Sequence, residues 1–206
     1  MGRQSSRARG AGFRPPVRRL GYTLRHTKTR CHPLIHAQED VMKAALLIID
    51  VQKAFFGKGS PQAAALERAA DHINAGIDLF RKKKWPVVCV QHTNPEDNLV
   101  PGQPGFDLPE ILKILPEDLH IHKTYSNSFT KTGLADKLRE MGVDTVIVTG
   151  FAAEACVLAT VRGAEDYDLT GMLLRGSIIG GRVEVAPFIE SICEIISYYA
   201  LCKVME

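Results

Sequence analysis

The chain has 206 residues, with 26 Lys and Arg against 23 Asp and Glu, which suits one α/β domain with a sizeable core plus an extra segment. No apolar run reaches the roughly 18 to 20 residues that a membrane span needs, which excludes a helical membrane protein. Its five cysteines (Cys31, Cys89, Cys156, Cys193, Cys202) are odd in number and form no CxxC pair, which argues against a disulfide framework or zinc site and implies a reducing compartment.

The net charge of +3 hides an asymmetry: residues 1–38 carry eight Arg and Lys28 with no acid, so the remainder is −6. Residues 1–41 are rich in Arg, Ser, Gly and Pro without a sustained period, and are expected to be a disordered basic tail. Such a start resembles an organellar transit peptide, Met1 to Ser6 fits the loose myristoylation pattern, and basic tails bind nucleic acid without specificity. The expectation adopted is plainer: an extension without function, with Met42 as the natural start. A cytoplasmic location and no specific nucleic-acid partner go with it, an organelle being the alternative.

Residues 42–206 read as one domain. Lys43 to Asp50 is an apolar run that ends in a carboxylate, the first strand. After the loop containing Gln52, Phe55 and Phe56, Ser60-Pro61 starts a helix as N-cap and first-turn proline, and Leu66, Ala70, Ile73, Ile77 and Phe80 mark its apolar face down to the basic run at Arg81. Pro86 to His92 is the second strand, so strand, helix and strand imply a right-handed parallel crossover. Residues 93–118, with five prolines, form a long connection expected to wall a substrate pocket.

Leu119 to Lys123 alternates as a short strand, and Leu134, Leu138 and Met141 mark a helix stopped by Gly142. Val146 to Val148 is a β-branched run buried on both faces, followed by Gly150 and a helix from Ala153. That places Cys156 in a first helical turn, where unpaired N–H groups and the macrodipole favour thiolate. A strand at Gly171 to Arg175 follows, and Pro187 opens a last helix burying Phe188, Ile192, Ile195, Ile196 and Tyr199. The fold class is therefore α/β with a mainly parallel sheet.

Ligands of open parallel sheets bind beyond the carboxyl ends of the strands, where this chain puts Asp50, Lys123 and, one turn past Gly150, Cys156. Cysteine would attack a carbonyl carbon, lysine would favour the thiolate, and aspartate would take the thiol proton and return it to a leaving amine.

The stretches Leu47-Ile48-Ile49-Asp50-Val51-Gln52, Lys123 to Phe129, and Thr149 to Val157 together resemble the isochorismatase-like cysteine hydrolases, which include nicotinamidases. The resemblance covers roughly residues 43–204. It implies a Rossmann-like three-layer α/β/α sandwich, an Asp50, Lys123, Cys156 triad, a cis peptide before Ala152, an oxyanion hole from the Ala152 and Cys156 N–H groups, and a homo-oligomer acting on a small molecule. Pocket candidates are Gln52, Phe55, Phe56, His92 and Phe151.

Nicotinamidases also carry an Asp-x-His metal cluster with further histidines, whereas Gln91 to Asp97 holds only His92, so no metal or other cofactor is expected. The family's usual Thr after the cis bond is Ala153 here, and its Asp-Ala pair after the late strand is Gly176-Ser177. The leading expectation is hydrolysis of a small amide or related C–N bond through a thioester on Cys156. The alternatives are vinyl-ether hydrolysis of the isochorismatase type, which need not use the thiol, and a catalytically idle binding or assembly module.

Overall fold

The computed structural model describes residues 42–206; the basic tail and Cys31 lie outside the described residues. The strands β1 (Ala44–Ile49), β2 (Val87–His92), β3 (Leu119–Lys123), β4 (Thr145–Phe151), β5 (Thr170–Ile179) and β6 (Ile195–Ile196) form one sheet in the order β3-β2-β1-β4-β5-β6. Every strand pair in it is parallel. The order reverses beside β1, so β1 and its two neighbours meet at the switch point where such sheets hold ligands.

The two core layers follow from the period of the strands. Ala45, Leu47 and Ile49 of β1 face one side with Val88, Val90, Val146 and Val148, beneath α2 (Leu134–Glu140), α3 (Leu158–Gly163) and α4 (Val185–Ile192). Ala44, Leu46 and Ile48 face the other, beneath α1 (Pro61–Lys82) and α5 (Tyr198–Val204). Both faces of β1 are buried, which explains a run without polar alternation. Helix α1 begins where the sequence indicates, with Ser60 Oγ accepting the Ala63 N–H at 3.0 Å. Its Ile73, Ile77 and Phe80 are wholly buried, each worth roughly 1.5–3 kcal/mol of transfer free energy.

The long connection after β2 is pinned rather than loose. Lys53 N–H donates to the Asp107 carbonyl at 2.8 Å, Ala54 N–H to Gly105 at 2.9 Å, and the Gln91 side chain to Phe106 at 2.9 Å. It therefore packs on the loop after β1, beside the carboxyl ends of the strands.

Two expectations change at the carboxyl-terminal end. Strand β5 runs on to Ile179, with a bulge where its register against β4 moves from Val148↔Leu173 to Gly150↔Ile178. Gly176 takes φ +76° inside it. The single last helix is instead α4, β6 and α5, because Cys193 is extended (φ −118°, ψ 160°) and Ile195-Ile196 pair with Leu173-Leu174. The β-branched pair prefers the sheet edge to a helix interior.

Phe188, Ile192 and Tyr199 are consequently exposed, at 61%, 43% and 74%, not in the core. Phe188→Ser is expected to change the unfolding free energy by no more than about 0.5 kcal/mol. A denaturant midpoint that drops as for a core phenylalanine would restore the continuous-helix packing.

Candidate active site

Three strand ends and one turn assemble the site. Asp50 follows β1, and its N–H stays in the ladder, donating to Val90 at 2.8 Å, before φ +50° turns the chain out of the sheet. Lys123 ends β3, two strands away from β1, and only a long side chain spans the intervening β2 at about 4.8 Å per strand. Its Nζ reaches Asp50 Oδ2 at 2.7 Å, with side-chain exposures of 0% and 3% for Lys123 and Asp50. On the way it passes His92, whose Nδ1 lies 3.4 Å from Nζ.

The turn after β4 presents the thiol. Gly150 has φ +107°, and a Cβ there would lie 2.2 Å from the Ile49 carbonyl oxygen, so β4 approaches β1 closely only because this residue lacks a side chain. Gly150→Ala is expected to cost at least about 4 kcal/mol, read as loss of soluble folded protein or a collapsed thermal midpoint by circular dichroism. A well-folded variant of native stability would contradict the close approach.

The Phe151–Ala152 peptide is cis, at the position the resemblance implies. Ala153–Val157 then forms a wide π turn, with Val157 N–H donating to the Ala152 carbonyl at 3.2 Å, and regular α3 starts only at Leu158. Cys156 thus sits in a π turn leading into α3, a refinement of the expected first α-helical turn. Such turns widen the helix and re-aim one side chain.

Side-chain donor atoms of Asp50, His92 and Cys156 lie within 4.8 Å of one another. Asp50 Oδ1 is buried and has no hydrogen-bond partner among the described residues, while Oδ2 is held by Lys123. The carboxylate therefore has one oxygen held by Lys123 and one unpartnered, and it lies within 4.8 Å of the sulfur.

The electrostatics correct one expectation. Burial first, then the Asp50 charge, pushes the Cys156 thiol up to about 11, against an opposing pull from Lys123. That direction opposes the thiolate that the turn and the lysine alone would favour. Burial also raises the Asp50 carboxyl above its ordinary range, with Lys123 and the thiol pulling it back. Burial and Lys123 lower His92, leaving a neutral imidazole beside the ammonium. Alkylation of Asp50→Asn protein at Cys156 is expected to require alkaline pH, whereas the wild type reacts at neutral pH with Asp50 as base; identical profiles would exclude base assistance.

The remaining candidates divide. Phe55 and Phe56 stack on Phe151 with ring centroids 5.2 and 5.5 Å away, forming a half-buried aromatic wall beside Ala152. Gln52 does not face a pocket: it is fully buried, and both ends of its amide bond the His92 backbone. Reasoning from sequence missed the His92 contact with Lys123, whose signal was its strand-end position next to β3. It also missed Glu154, two residues before Cys156, whose carboxylate accepts the Gly181 N–H at 3.0 Å.

A nicotinamidase-type metal does not fit the residues after β2. His92 is the single imidazole there, Asn94 is bonded to Asp97 at 2.6 Å, and the Lys123 ammonium lies against both Asp50 and His92, where it repels a cation.

Comparison with known proteins agrees with this architecture. The isochorismatase domain profile matches residues 44–174. The chain is 37% identical over 122 residues to the uncharacterized isochorismatase family protein YrdC of Bacillus subtilis (strain 168), spanning 58% of this chain and 65% of that one. It is 32% identical over 96 residues to a nicotinamidase of Acinetobacter baylyi, spanning 44% of this chain and 43% of the relative. A crystal structure of an isochorismatase family protein superposes with a TM-score of 0.65 at 28% identity, covering 75% of this chain and 98% of the other. With the profile extending over more than half its length, the chain belongs to the isochorismatase family.

Proposed function

We propose that residues 42–206 form a cofactor-free cysteine hydrolase that cleaves a small amide or related C–N bond through a thioester on Cys156. The observation that carries this reading is the buried Asp50 carboxylate beside Cys156, with Oδ2 on Lys123 and Oδ1 unpartnered. The relative named a nicotinamidase supports amide chemistry at the family level.

Asp50 Oδ1 takes the Cys156 proton as sulfur attacks the substrate carbonyl carbon, so no standing thiolate is required. The carbonyl oxygen becomes an oxyanion met by the N–H groups of Ala152 and Cys156. The C–N bond breaks as Asp50 delivers its proton to the departing amine, leaving a thioester. Water then adds to the thioester carbon, giving its proton to Asp50, and the intermediate collapses to a carboxylic acid and the thiol, which recovers the proton. Lys123 keeps the buried carboxylate ionised between these steps. The Phe55, Phe56 and Phe151 wall supplies apolar contact for the substrate. No helix among the described residues is long and apolar enough to cross a membrane.

A panel of small carboxamides, followed by ammonia release, tests the reading. Turnover by wild type and not by Cys156→Ala supports it; no release from any amide, or release that survives the substitution, overturns it. Light scattering on the same preparations tests the accompanying expectation of a homo-oligomer.

A further inference from the structure

Gln52 stands two residues past Asp50 and is wholly buried. Its Oε1 accepts the His92 N–H at 2.7 Å and its Nε2 donates to the His92 carbonyl at 3.0 Å. Backbone pairing from β1 ends at Asp50, where φ +50° takes the chain out of the sheet. The amide side chain therefore supplies the next rung between the β1 end and β2, which the backbone no longer makes. On its other side His92 is tied to β3: Thr93 N–H donates to the Lys123 carbonyl at 2.7 Å, and the imidazole Nδ1 lies 3.4 Å from Lys123 Nζ. The series ends at Asp50 Oδ2, 2.7 Å from the same Nζ.

We propose that Gln52 is a positioning residue, clamping the His92 backbone so that Lys123 stays on Asp50 Oδ2 and Oδ1 is left free to act as base. The inference rests on the cysteine-hydrolase reading above, since it concerns how that base is aimed. A substrate-facing glutamine would keep at least one end of its amide free, and Gln52 keeps neither. Losing the clamp strands two backbone groups of His92 and lets the end of β2 shift, carrying its imidazole away from Lys123. Lys123 favours the charged form of Asp50, so a displaced ammonium leaves a carboxyl that holds its proton to higher pH. The ionisable groups facing Lys123 are Asp50, His92 and Cys156, with Asp97 acting on His92.

The test needs no substrate. The pH dependence of Cys156 alkylation by iodoacetamide, located by peptide mass mapping, is compared for the full-length wild type, Gln52→Met and Gln52→Glu, with thermal midpoints in parallel. Asn74→Leu is the control, because Asn74 makes an equivalent two-point clamp away from the site, to Ile111 and Lys113 at 2.9 Å each. Gln52→Met is expected to react roughly tenfold more slowly at neutral pH, with the acid limb of its profile moved upward. Gln52→Glu, which keeps the acceptor for the His92 N–H, is expected to fall between. Asn74→Leu is expected to lower the thermal midpoint while leaving rate and profile unchanged.

Should Gln52→Met not fold, Gln52→Glu decides by the same readout. Wild-type rate and profile in the Gln52 variants, alongside slowed Asp50→Asn protein, overturn the clamp alone. Unchanged alkylation in Asp50→Asn overturns the hydrolase reading and the clamp with it.

Discussion

Replacing Cys156 with alanine is expected to lower kcat/KM on any amide the enzyme turns over by at least about 10⁴-fold, equivalent to roughly 5.5 kcal/mol of transition-state stabilisation. The step lost is the covalent one, and the base left behind cannot replace it efficiently: water placed near Asp50 lacks the nucleophilicity of sulfur. Stability should change little, because Cys156 is only partly buried and alanine fits a helical turn. Substrate affinity should persist, so the loss belongs in kcat. Single-turnover mass spectrometry supplies the positive counterpart, an acyl group on Cys156 of the wild type. A Cys156→Ala enzyme that keeps more than a few per cent of its rate, with no acyl adduct in the wild type, would turn attention to the vinyl-ether alternative, for which isochorismate is the substrate to try.

Lys123→Met carries the second large effect, on stability and rate together. The Lys123–Asp50 pair is almost wholly buried, and removing one partner of such a pair costs about 3–5 kcal/mol. At this chain length that corresponds to a thermal midpoint lower by roughly 6–20 °C. The pH dependence has a definite sign. Asp50 already has a folded-state pKa above its unfolded value, so its contribution to stability is present below the unfolded value and lost as pH rises through the folded one. Without the ammonium the folded pKa rises further, so the loss begins at the same unfolded value but continues to higher pH and runs deeper. The deficit against wild type should therefore be small in acid, where the wild type holds Lys123 beside a protonated Asp50, and should widen toward neutrality. Activity should fall by about 10²- to 10³-fold, with the acid limb of kcat/KM displaced upward. A deficit independent of pH would mean that lost packing rather than charge explains the destabilisation.

The legible part of the site was the part written in strand ends. Asp50 and Lys123 each close a strand and Cys156 follows one by a single turn, and in a parallel sheet the carboxyl ends of the strands converge at one edge. The state of the thiol was not legible. A residue early in a helical turn looks activated when judged by its own element, yet burial and the Asp50 charge come from elsewhere and raise it to about 11. Gln52 shows the same limit: its place in the motif suggested contact with substrate, while its partners lie forty residues onward in β2.

Taken alone, the sequence determined the layered α/β class, the bounds of α1 and the placing of Asp50, Lys123 and Cys156 at the carboxyl end of the sheet, because these depend on hydrophobic period, capping and strand-end residues that neighbours in the chain decide. Tertiary structure decided the rest. It broke the last helix at Cys193 so that Ile195 and Ile196 could pair with β5. It also placed Lys123 on one oxygen of Asp50, left the other unpartnered, and surrounded Cys156 with burial and a carboxylate that push its thiol up. Pairing energy, desolvation and charge proximity are properties of residues far apart in the chain, so no local pattern carries them.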